Sequence, residues 1–464
     1  MSHSLPRSTL LAYAMPALPL AVPTVAVYIL LPTFYVEELG LSLALTGLML
    51  MLARLSDVLT DPLIGRWLDK ASPRRYQGSM VVGGLLCLPG LWILIHPGES
   101  SAMWSLLFGS MLLYLGWTLL QIPYISWLSH LSRSSHQRSR AASYREGMAI
   151  LGLLISASVP LLLLLGLSTQ QMLQLMALST LILGAVLLYR MLSRLPPPQR
   201  EPQPRGPWRS VLNNKPALRL LLAWLINGIA NGIPAVLFPL YITAVLGLAS
   251  ELRALYILLY FLAAFAALPL WLWLSQRYDK LQLWRVAMLI ATIGFLPAAF
   301  LQPGDGEWFV LVCLLTGMAL GADLALPHVI QSELTDWDRY RYRQQQTGLL
   351  FAFWNGASKL AMALAAMIAL GLLGMSGFDA AQEAAPMPLE TLFGPVFVLA
   401  LIYALLPCVL KLTAIATLWR FPLKSRHHPA IIRALSRRES RSSTHATPTL
   451  SPPLAATAAR SVGL

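Results

Sequence analysis

The sequence is poor in charged residues, because only 12% of its 464 residues are Asp, Glu, Lys or Arg, whereas 56% are hydrophobic. A water-soluble domain of this length needs a more polar surface, so this balance excludes an ordinary soluble globular protein. Cysteine is scarce as well. Cys87, Cys313 and Cys408 are scattered through apolar stretches, a distribution that predicts neither a disulfide framework nor a cysteine-based metal centre.

Long apolar segments recur along the whole chain, and a helix needs about 20 such residues to cross a bilayer. We predict an all-α membrane protein with twelve transmembrane helices in two six-helix bundles. The first segment is too long for a cleavable signal and lacks a small-residue cleavage pattern. The predicted spans are residues 9–36, 43–68, 78–97, 102–129, 144–167, 171–192, 217–246, 251–275, 282–301, 308–334, 346–374 and 391–419.

The net charge of +14 would suit a nucleic-acid-binding protein, but its distribution argues against nucleic acid as a partner. Basic residues are concentrated in alternate loops and in the C-terminal tail, whereas the intervening loops carry most of the acidic residues. The positive-inside rule then predicts a multi-pass protein of the inner (plasma) membrane with both termini in the cytoplasm. We expect membrane lipid and a small-molecule substrate as its partners, and a monomeric protein.

The spans divide into two halves joined by a proline-rich, basic stretch. We predict an N-terminal bundle over residues 1–192, a cytoplasmic linker over 193–216, a C-terminal bundle over 217–419 and a basic, disordered tail over 420–464. The sequence GRWLDK at 65–70 has a weak counterpart in SQRYDK at 275–280. Six plus six spans with an internal repeat is typical of the major facilitator plan, whose substrate site lies between the halves.

The second predicted span carries three ionisable residues inside an apolar run. Arg54, Asp57 and Asp61 are spaced by three and four residues, so all three share one face of a helix. A charge at the bilayer centre costs about 2.5 to 3.5 kcal/mol, and such residues usually mark an ion or substrate path. We predict a cation site at Asp57 and Asp61; the alternative is a salt-bridged cluster that only joins helices. We also expect Pro62 and Gly65 to loosen the helix locally and free backbone carbonyls there.

Several short motifs give the chain a family resemblance over most of its membrane region. It resembles the glycoside–pentoside–hexuronide:cation symporters, the melibiose permease-like family of the major facilitator superfamily. The motif in the second span is the most specific of these. The matching segments are 35–42 (YVEELGLS), 53–65 (ARLSDVLTDPLIG), 121–124 (QIPY), 144–145 (YR), 333–337 (ELTDW) and 346–348 (QTG), followed by Lys359.

This resemblance implies roles for four of the charged residues. The two carboxylates of the second span, Asp57 and Asp61, would bind the coupling cation, which is Na⁺, Li⁺ or H⁺. Lys359 would lie near them and neutralise them when the cation leaves, and Arg145 would lie near a sugar substrate. The alternatives are a structural ion-pair partner for Lys359 and an interfacial anchor for Arg145.

The chain departs from the family at the sugar site. The family's sugar-binding carboxylates align with Ala21 and Gln121, and a family tryptophan aligns with Ile125. Carboxylates accept paired hydrogen bonds from sugar hydroxyls, whereas alanine accepts none and glutamine offers only a neutral contact. These departures weaken the prediction of a galactoside substrate.

Other polar and aromatic residues in the spans have more than one interpretation. Asp323 could form an ion pair with Lys359, contact an amine or relay a proton, and His328 follows five residues later. Asn227 and Asn231 share a helix face and either join helices or contact a ligand. Four aromatic side chains either line a pocket or pack between helices: Trp117, Tyr124, Trp127 and Trp354.

Three functions fit these observations. The leading one is a cation-coupled symporter that moves a small polar or amphiphilic solute, such as a sugar derivative, by alternating access. The second is a lipid or lysolipid transporter, which the apolar first span and the missing sugar carboxylates favour. The third is a non-transporting membrane sensor. We expect no enzymatic activity, no cofactor beyond the coupling ion, and no metal other than Na⁺ at Asp57 and Asp61.

Overall fold

The structure is a computed structural model, and it describes residues 6–69, 72–98, 101–131, 135–159, 162, 165–195, 214–342, 347–378, 394–419, 421, 431 and 433–434. All regular elements in these ranges are helices. Residues 196–213 of the predicted linker lie outside the described residues, as do most of the predicted tail and Gln346 of the family motif.

Ten helical segments of the described chain are long and apolar enough to cross a membrane, which confirms the predicted all-helical membrane fold. Their bounds agree with the predicted spans to within a few residues, except that α13 continues eight residues further. The helices that form these segments are α5 (Leu43–Asp69), α6 (Pro73–Ile95), α7 (Ala102–Leu131), α9 (Thr169–Arg194), α10 (Lys215–Leu240), α11 (Arg253–Arg277), α12 (Lys280–Phe295), α13 (Gly306–Tyr342), α14 (Thr347–Met375) and the pair α15 (Pro395–Ala400) and α16 (Leu406–Thr417).

The first predicted span is a helix broken into short pieces, and it contains Pro16, Pro19, Pro23 and Pro32. Each proline lacks an N–H donor and interrupts the hydrogen-bond ladder of the helix. Two π-helical turns complete the span, and the second of them, Phe34–Glu38, ends it. The α-helical pieces are α1 (Arg7–Ala14), α2 (Ala17–Ala21), α3 (Pro23–Val25) and α4 (Leu31–Thr33).

The fifth predicted span is α8 (Ser135–Ser158), whose first half is polar, SHQRSRAASYREG. That polarity explains why α8 does not qualify as a span by composition. α8 packs against α1 and α2 in its own half and against α11 in the other half. It therefore borders the interface between the two halves.

The two halves end their first helices in the same way. A π-helical turn closes each one, Phe34–Glu38 in the first half and Tyr241–Val245 in the second. A glycine with positive φ follows in both, Gly40 at 67° and Gly247 at 63°. Only glycine adopts this backbone conformation without steric strain, so the two turns need glycine for the same reason.

Prolines repeat along with these turns. Pro32 and Pro239 precede the turns, while Pro62 lies in α5 and Pro269 in α11. The interval between the members of each proline pair is the same as that between the two glycines. This agreement identifies an internal repeat more clearly than the GRWLDK echo does.

Among the described residues, one hydrophobic core joins the two halves, and it lies toward one end of the bundle. We call this the acidic end, because Glu37 and Asp305 lie there, and the opposite one the basic end, where Arg75 and Arg277 lie. The largest core contains residues of both halves, from α5, α6, α10 and α14. Two smaller cores lie toward the basic end, one within each half. The halves are therefore closed against each other toward the acidic end and separately packed toward the basic end.

Candidate functional site

The predicted cation-site carboxylates lie on α5, which faces α7 in its own half and α14 in the other. Asp57 is 2% exposed, whereas Asp61, one turn further on, is partly open. α5 runs without a break through Pro62 and Gly65, although Pro62 contributes no backbone N–H donor to the helix. The continuous helix keeps both carboxylates on one face.

Lys359 of α14 crosses the interface to both carboxylates. Its Nζ atom lies 2.9 Å from Oδ1 of Asp57. The same nitrogen lies 2.8 Å and 2.7 Å from the two carboxylate oxygens of Asp61. An ammonium group donates three hydrogen bonds, and the three acceptor oxygens match that number. Both interpretations of Lys359, a coupling role and a structural ion pair, require this contact with the carboxylates. The contact joins the two halves of the protein.

Thr118 of α7 completes the site, and the sequence did not indicate it. Its Oγ1 atom lies 2.8 Å from Oδ1 of Asp57 and 2.8 Å from Oδ1 of Asp61. A hydroxyl has one proton and can donate it fully to only one of these oxygens. The contact of the hydroxyl with the other carboxylate oxygen is favourable only when a proton or another cation lies between the two oxygens. Here the positive charge is that of Lys359, whose Nζ atom lies 3.4 Å from the hydroxyl.

Arg54 provides the second positive charge of the site. Its guanidinium lies 3.4 Å from Oδ2 of Asp57 and is largely buried. The rings of Tyr114 and Tyr28 lie 3.7 Å and 4.8 Å from it, which are cation–π distances. Arg54 and Lys359 together balance the charge of the two carboxylates.

The donor atoms of this site suit a hard cation. Three carboxylate oxygens of Asp57 and Asp61 and the hydroxyl oxygen of Thr118 surround the Lys359 ammonium, and oxygen ligands of this kind bind hard ions. Among the described residues, no group of three or more His, Cys, Asp and Glu side chains could hold a metal ion. Carboxylate and hydroxyl oxygens are ligands for hard cations and protons, whereas soft transition metals prefer sulfur and nitrogen ligands.

The structure corrects the partner considered for Asp323. Its Oδ2 atom lies 3.8 Å from Nζ of Lys411 on α16, so it pairs with Lys411 and not with Lys359. Asn227 and Asn231 each donate a hydrogen bond to Asp323 and accept one from Lys411. Trp284 Nε1 donates to Oδ1 of Asp323 at 2.6 Å.

This second cluster lies entirely within the second half. Its members come from α10, α12, α13 and α16, and their side chains satisfy one another. A buried ion pair with complete hydrogen bonding joins helices in this way. The asparagines therefore join helices, which was one of the two interpretations of their spacing.

Trp354 packs inside the second half. It is 2% exposed and stacks on Trp224 with ring centroids 4.6 Å apart. Trp224 Nε1 donates to Oγ of Ser358 at 2.7 Å, next to Lys359 in the chain. His328, an exposed residue of α13, lies at the edge of both rings. The aromatic pair thus supports the segment of α14 that carries the lysine.

The remaining predicted residues of the first half lie outside the carboxylate site. Tyr124 is buried, and its hydroxyl donates to the backbone carbonyl of Tyr13 at 2.8 Å, which fastens α7 to α1. Gln121 accepts a hydrogen bond from Trp117 Nε1 at 2.8 Å. Arg145 forms an ion pair with Glu146 on α8.

The acidic end of the interface is closed by an ion pair and by close helix contacts. Arg253 at the start of α11 makes a bidentate pair with Glu37, with distances of 3.0 Å and 2.8 Å. A Cβ added at Gly47 of α5 would lie 3.0 Å from the Ala366 carbonyl oxygen of α14. A side chain larger than that of glycine would press against this oxygen. The close approach of α5 and α14 therefore depends on Gly47.

Comparisons with known proteins agree with this arrangement. A family model described as MFS/sugar transport protein matches residues 12–425. The uncharacterized symporter YnaJ of Bacillus subtilis (strain 168) is 27% identical, with 82% of this chain and 86% of YnaJ covered. A glucuronide carrier protein homolog of Escherichia coli (strain K12) is 20% identical, with 88% and 90% covered.

Two further proteins are similar to this chain over most of its length. The sodium-dependent lysophosphatidylcholine symporter 1-A of Danio rerio is 19% identical, with 79% of this chain and 77% of that protein covered. The crystal structure of a D-xylose-proton symporter superposes with a TM-score of 0.68 at 13% identity, covering 89% of this chain and 97% of that one. The structural likeness supports the fold.

Proposed function

The chain belongs to the MFS/sugar transport protein family and is a multi-pass membrane transporter rather than an enzyme, and from this premise we propose that it couples the movement of a small polar solute to that of a cation. Asp57 and Asp61 bind the cation. Na⁺, Li⁺ and H⁺ are the candidate ions, and the solute is a sugar derivative or a similar polar molecule.

The contact between Lys359 and the two carboxylates carries this proposal. The ammonium group lies within 2.9 Å of oxygens from both Asp57 and Asp61, where a bound cation would also have to lie. Two positive charges do not share the same three oxygens, because they repel each other at such distances. Cation binding and the lysine contact therefore exclude one another.

This exclusion links the ion to the conformation of the protein. Lys359 belongs to α14 of the second half, whereas Asp57 and Asp61 belong to α5 of the first. An ion that replaces the ammonium removes an attraction between the halves, and loss of the ion restores it. A ligand shifts a conformational equilibrium only by binding its states differently, and this site meets that condition.

The packing of the halves supports access from the basic end in this state. The halves share their core toward the acidic end and have separate cores toward the basic end. We propose the orientation that the loop charges predict, in which the basic end and both termini are cytoplasmic and the membrane is the inner (plasma) membrane. The structure then corresponds to an inward-facing stage of alternating access.

A lysolipid substrate is the second candidate, and one observation favours it. Gln121, which aligns with a sugar-binding carboxylate of the family, already uses its Oε1 atom to accept a hydrogen bond from Trp117. Ala21 offers no polar group at the other position. An amphiphilic solute would need fewer polar partners than a free sugar, and a similar protein is named as a lysophosphatidylcholine symporter.

The test is uptake into proteoliposomes that contain the purified protein. Imposed gradients of Na⁺, Li⁺ or H⁺ would be combined in turn with labelled glycosides, glucuronides and lysophosphatidylcholine. We expect one solute to accumulate only when one of the ion gradients is present. Ion-independent equilibration of a solute would contradict coupling, and accumulation of the lysolipid alone would select the second candidate.

A matched pair of variants distinguishes the loss of a carboxylate in the proposed cation site from the loss of a negative charge elsewhere in the protein. Asp61→Asn removes a carboxylate of the site, and Glu38→Gln removes an exposed carboxylate at the acidic end. Both changes remove one negative charge. We expect ion-driven accumulation to be lost in Asp61→Asn and retained in Glu38→Gln, and equal loss in both would argue against the site.

A further inference from the structure

An open groove of about 570 Å³ lies between the basic-end portions of α5 and α6, with α7 at its floor. α6 packs against α7 and α9 of its own half. Apolar side chains on its walls are strongly exposed, among them Leu63 at 61% and Val82 at 49%. The lining residues are Leu63, Ile64, Trp67, Arg75, Gly78, Ser79, Val82 and Leu119.

The groove combines an apolar wall with one positive charge at its basic end. Arg75 is exposed in the first turn of α6, where its backbone N–H donates to the capping hydroxyl of Ser72. Val82 lies about two turns, or about 11 Å, further along α6. Trp67, half exposed, stands on α5 at the same end, and indole rings favour the headgroup level of a bilayer.

We propose that this groove binds one anionic phospholipid from the bilayer leaflet at the basic end. The phosphate group contacts the guanidinium of Arg75, and an acyl chain lies along Leu63 and Val82 toward Leu119. Basic pockets between transmembrane helices bind anionic headgroups in this way. A small polar solute would find almost no hydrogen-bond partners on these walls, whereas an acyl chain needs none.

The position of the groove gives the lipid a consequence for the carboxylate site. Leu63 and Ile64 follow Asp61 within one turn of α5, and Leu119 follows Thr118 on α7. A chain held between these residues supports the two helices where the Thr118 hydroxyl contacts both carboxylates. We therefore expect the lipid to stabilise the protein by binding its folded state.

The test compares phosphatidylglycerol with phosphatidylcholine of the same acyl chains. Each lipid would be titrated into delipidated protein in detergent, with bound lipid counted by native mass spectrometry and thermal unfolding followed in parallel. We expect phosphatidylglycerol to bind about fivefold more tightly at one site, the ratio expected for one arginine near an anionic headgroup, and to raise the unfolding temperature. Equal binding of the two lipids would overturn the proposal.

Arg75→Gln and Arg74→Gln form a matched pair for the headgroup. Both arginines are exposed in the first turn of α6, but only Arg75 lines the groove. We expect the preference for phosphatidylglycerol to disappear in Arg75→Gln and to persist in Arg74→Gln. A similar reduction in both variants would indicate general surface attraction and would overturn the assignment to the groove.

Gly78→Leu and Gly65→Leu form a matched pair for the acyl chain. A Cβ atom added at either glycine meets no other atom within 4 Å, so both variants should fold. Only Gly78 lines the groove, and a leucine there would fill it. We expect weaker phosphatidylglycerol binding in Gly78→Leu alone, and unchanged binding there would place the lipid elsewhere. These readouts do not depend on solute transport.

Discussion

The ammonium of Lys359 lies 2.7 Å from Oδ2 of Asp61, although the two residues belong to helices from different halves of the protein. The same group lies 2.9 Å from Asp57, which is almost fully buried. A lysine in this position holds the halves together by a charge that an incoming cation can replace. The ion pair is therefore both a structural contact and the point at which an ion can act.

Replacing either carboxylate with its amide should abolish ion coupling. In Asp57→Asn or Asp61→Asn, the site loses one of the two charges that attract a cation, while side-chain size is almost unchanged. We expect ion-driven accumulation to fall to background. We also expect the thermal stabilisation by the coupling ion, about 2.7 kcal/mol at 100 times its dissociation constant, to vanish in both variants. Normal accumulation in both would refute the cation site.

Thr118 should contribute a ligand oxygen to the cation. Thr118→Val keeps the shape of the side chain but removes the hydroxyl that contacts Asp57 and Asp61. We expect the affinity for the coupling ion to fall about tenfold or more, because hydrogen bonds to charged groups contribute about 1.5 to 3 kcal/mol. Ion titrations of thermal stability would measure this. Thr118→Ser, which retains the oxygen, should keep most of the affinity, and equal loss in both variants would point to packing alone.

The Asp323–Lys411 pair should be needed for stability and not for coupling. Lys411→Met leaves the Asp323 carboxylate buried without its cation, a change that typically costs about 3 to 5 kcal/mol. We expect a clearly lower unfolding temperature in Lys411→Met and substantial recovery in the double variant with Asp323→Asn. Loss of the ion response in the recovered double variant would show that this cluster also takes part in coupling.

The Glu37–Arg253 pair should hold the acidic end of the interface closed. Charge reversal in Arg253→Glu places two carboxylates opposite each other, and we expect the acidic end to open more often. Spin labels at the acidic-end termini of α5 and α11 would report the distance between these two helices by pulsed electron paramagnetic resonance. Adding Glu37→Arg should restore the closed distance, whereas Glu38→Arg should not. No change of distance in Arg253→Glu would contradict a closing role.

The sequence predicted the part of the site that lies on one helix. Arg54, Asp57 and Asp61 share a face of α5 because helical spacing alone places them there, and the apolar run around them showed their depth. The bounds of most spans followed in the same way from hydrophobic length. These features depend on residues that are close together in the chain.

Contacts between distant helices could not be predicted from residue patterns alone. Thr118 is one of several hydroxyl side chains in the apolar helix α7, and most such groups bond to their own backbone. Lys411 lies far along the chain from Asp323, and the lysine that we considered from the sequence as its partner was Lys359. Family resemblance, not spacing, supplied the link between Lys359 and the carboxylates.

The repeated prolines bear on the history and the stoichiometry of the transporter. Pro62 of α5 and Pro269 of α11 occupy equivalent places, but α11 has Leu268 where α5 has Asp61, and no acidic residue anywhere along its length. A duplicated ancestor with carboxylates in both halves would have had two equivalent ion sites. In this chain the two copies have diverged, and α11 packs against α8 and α13 rather than against α5, so one turnover should carry the charge of one ion site.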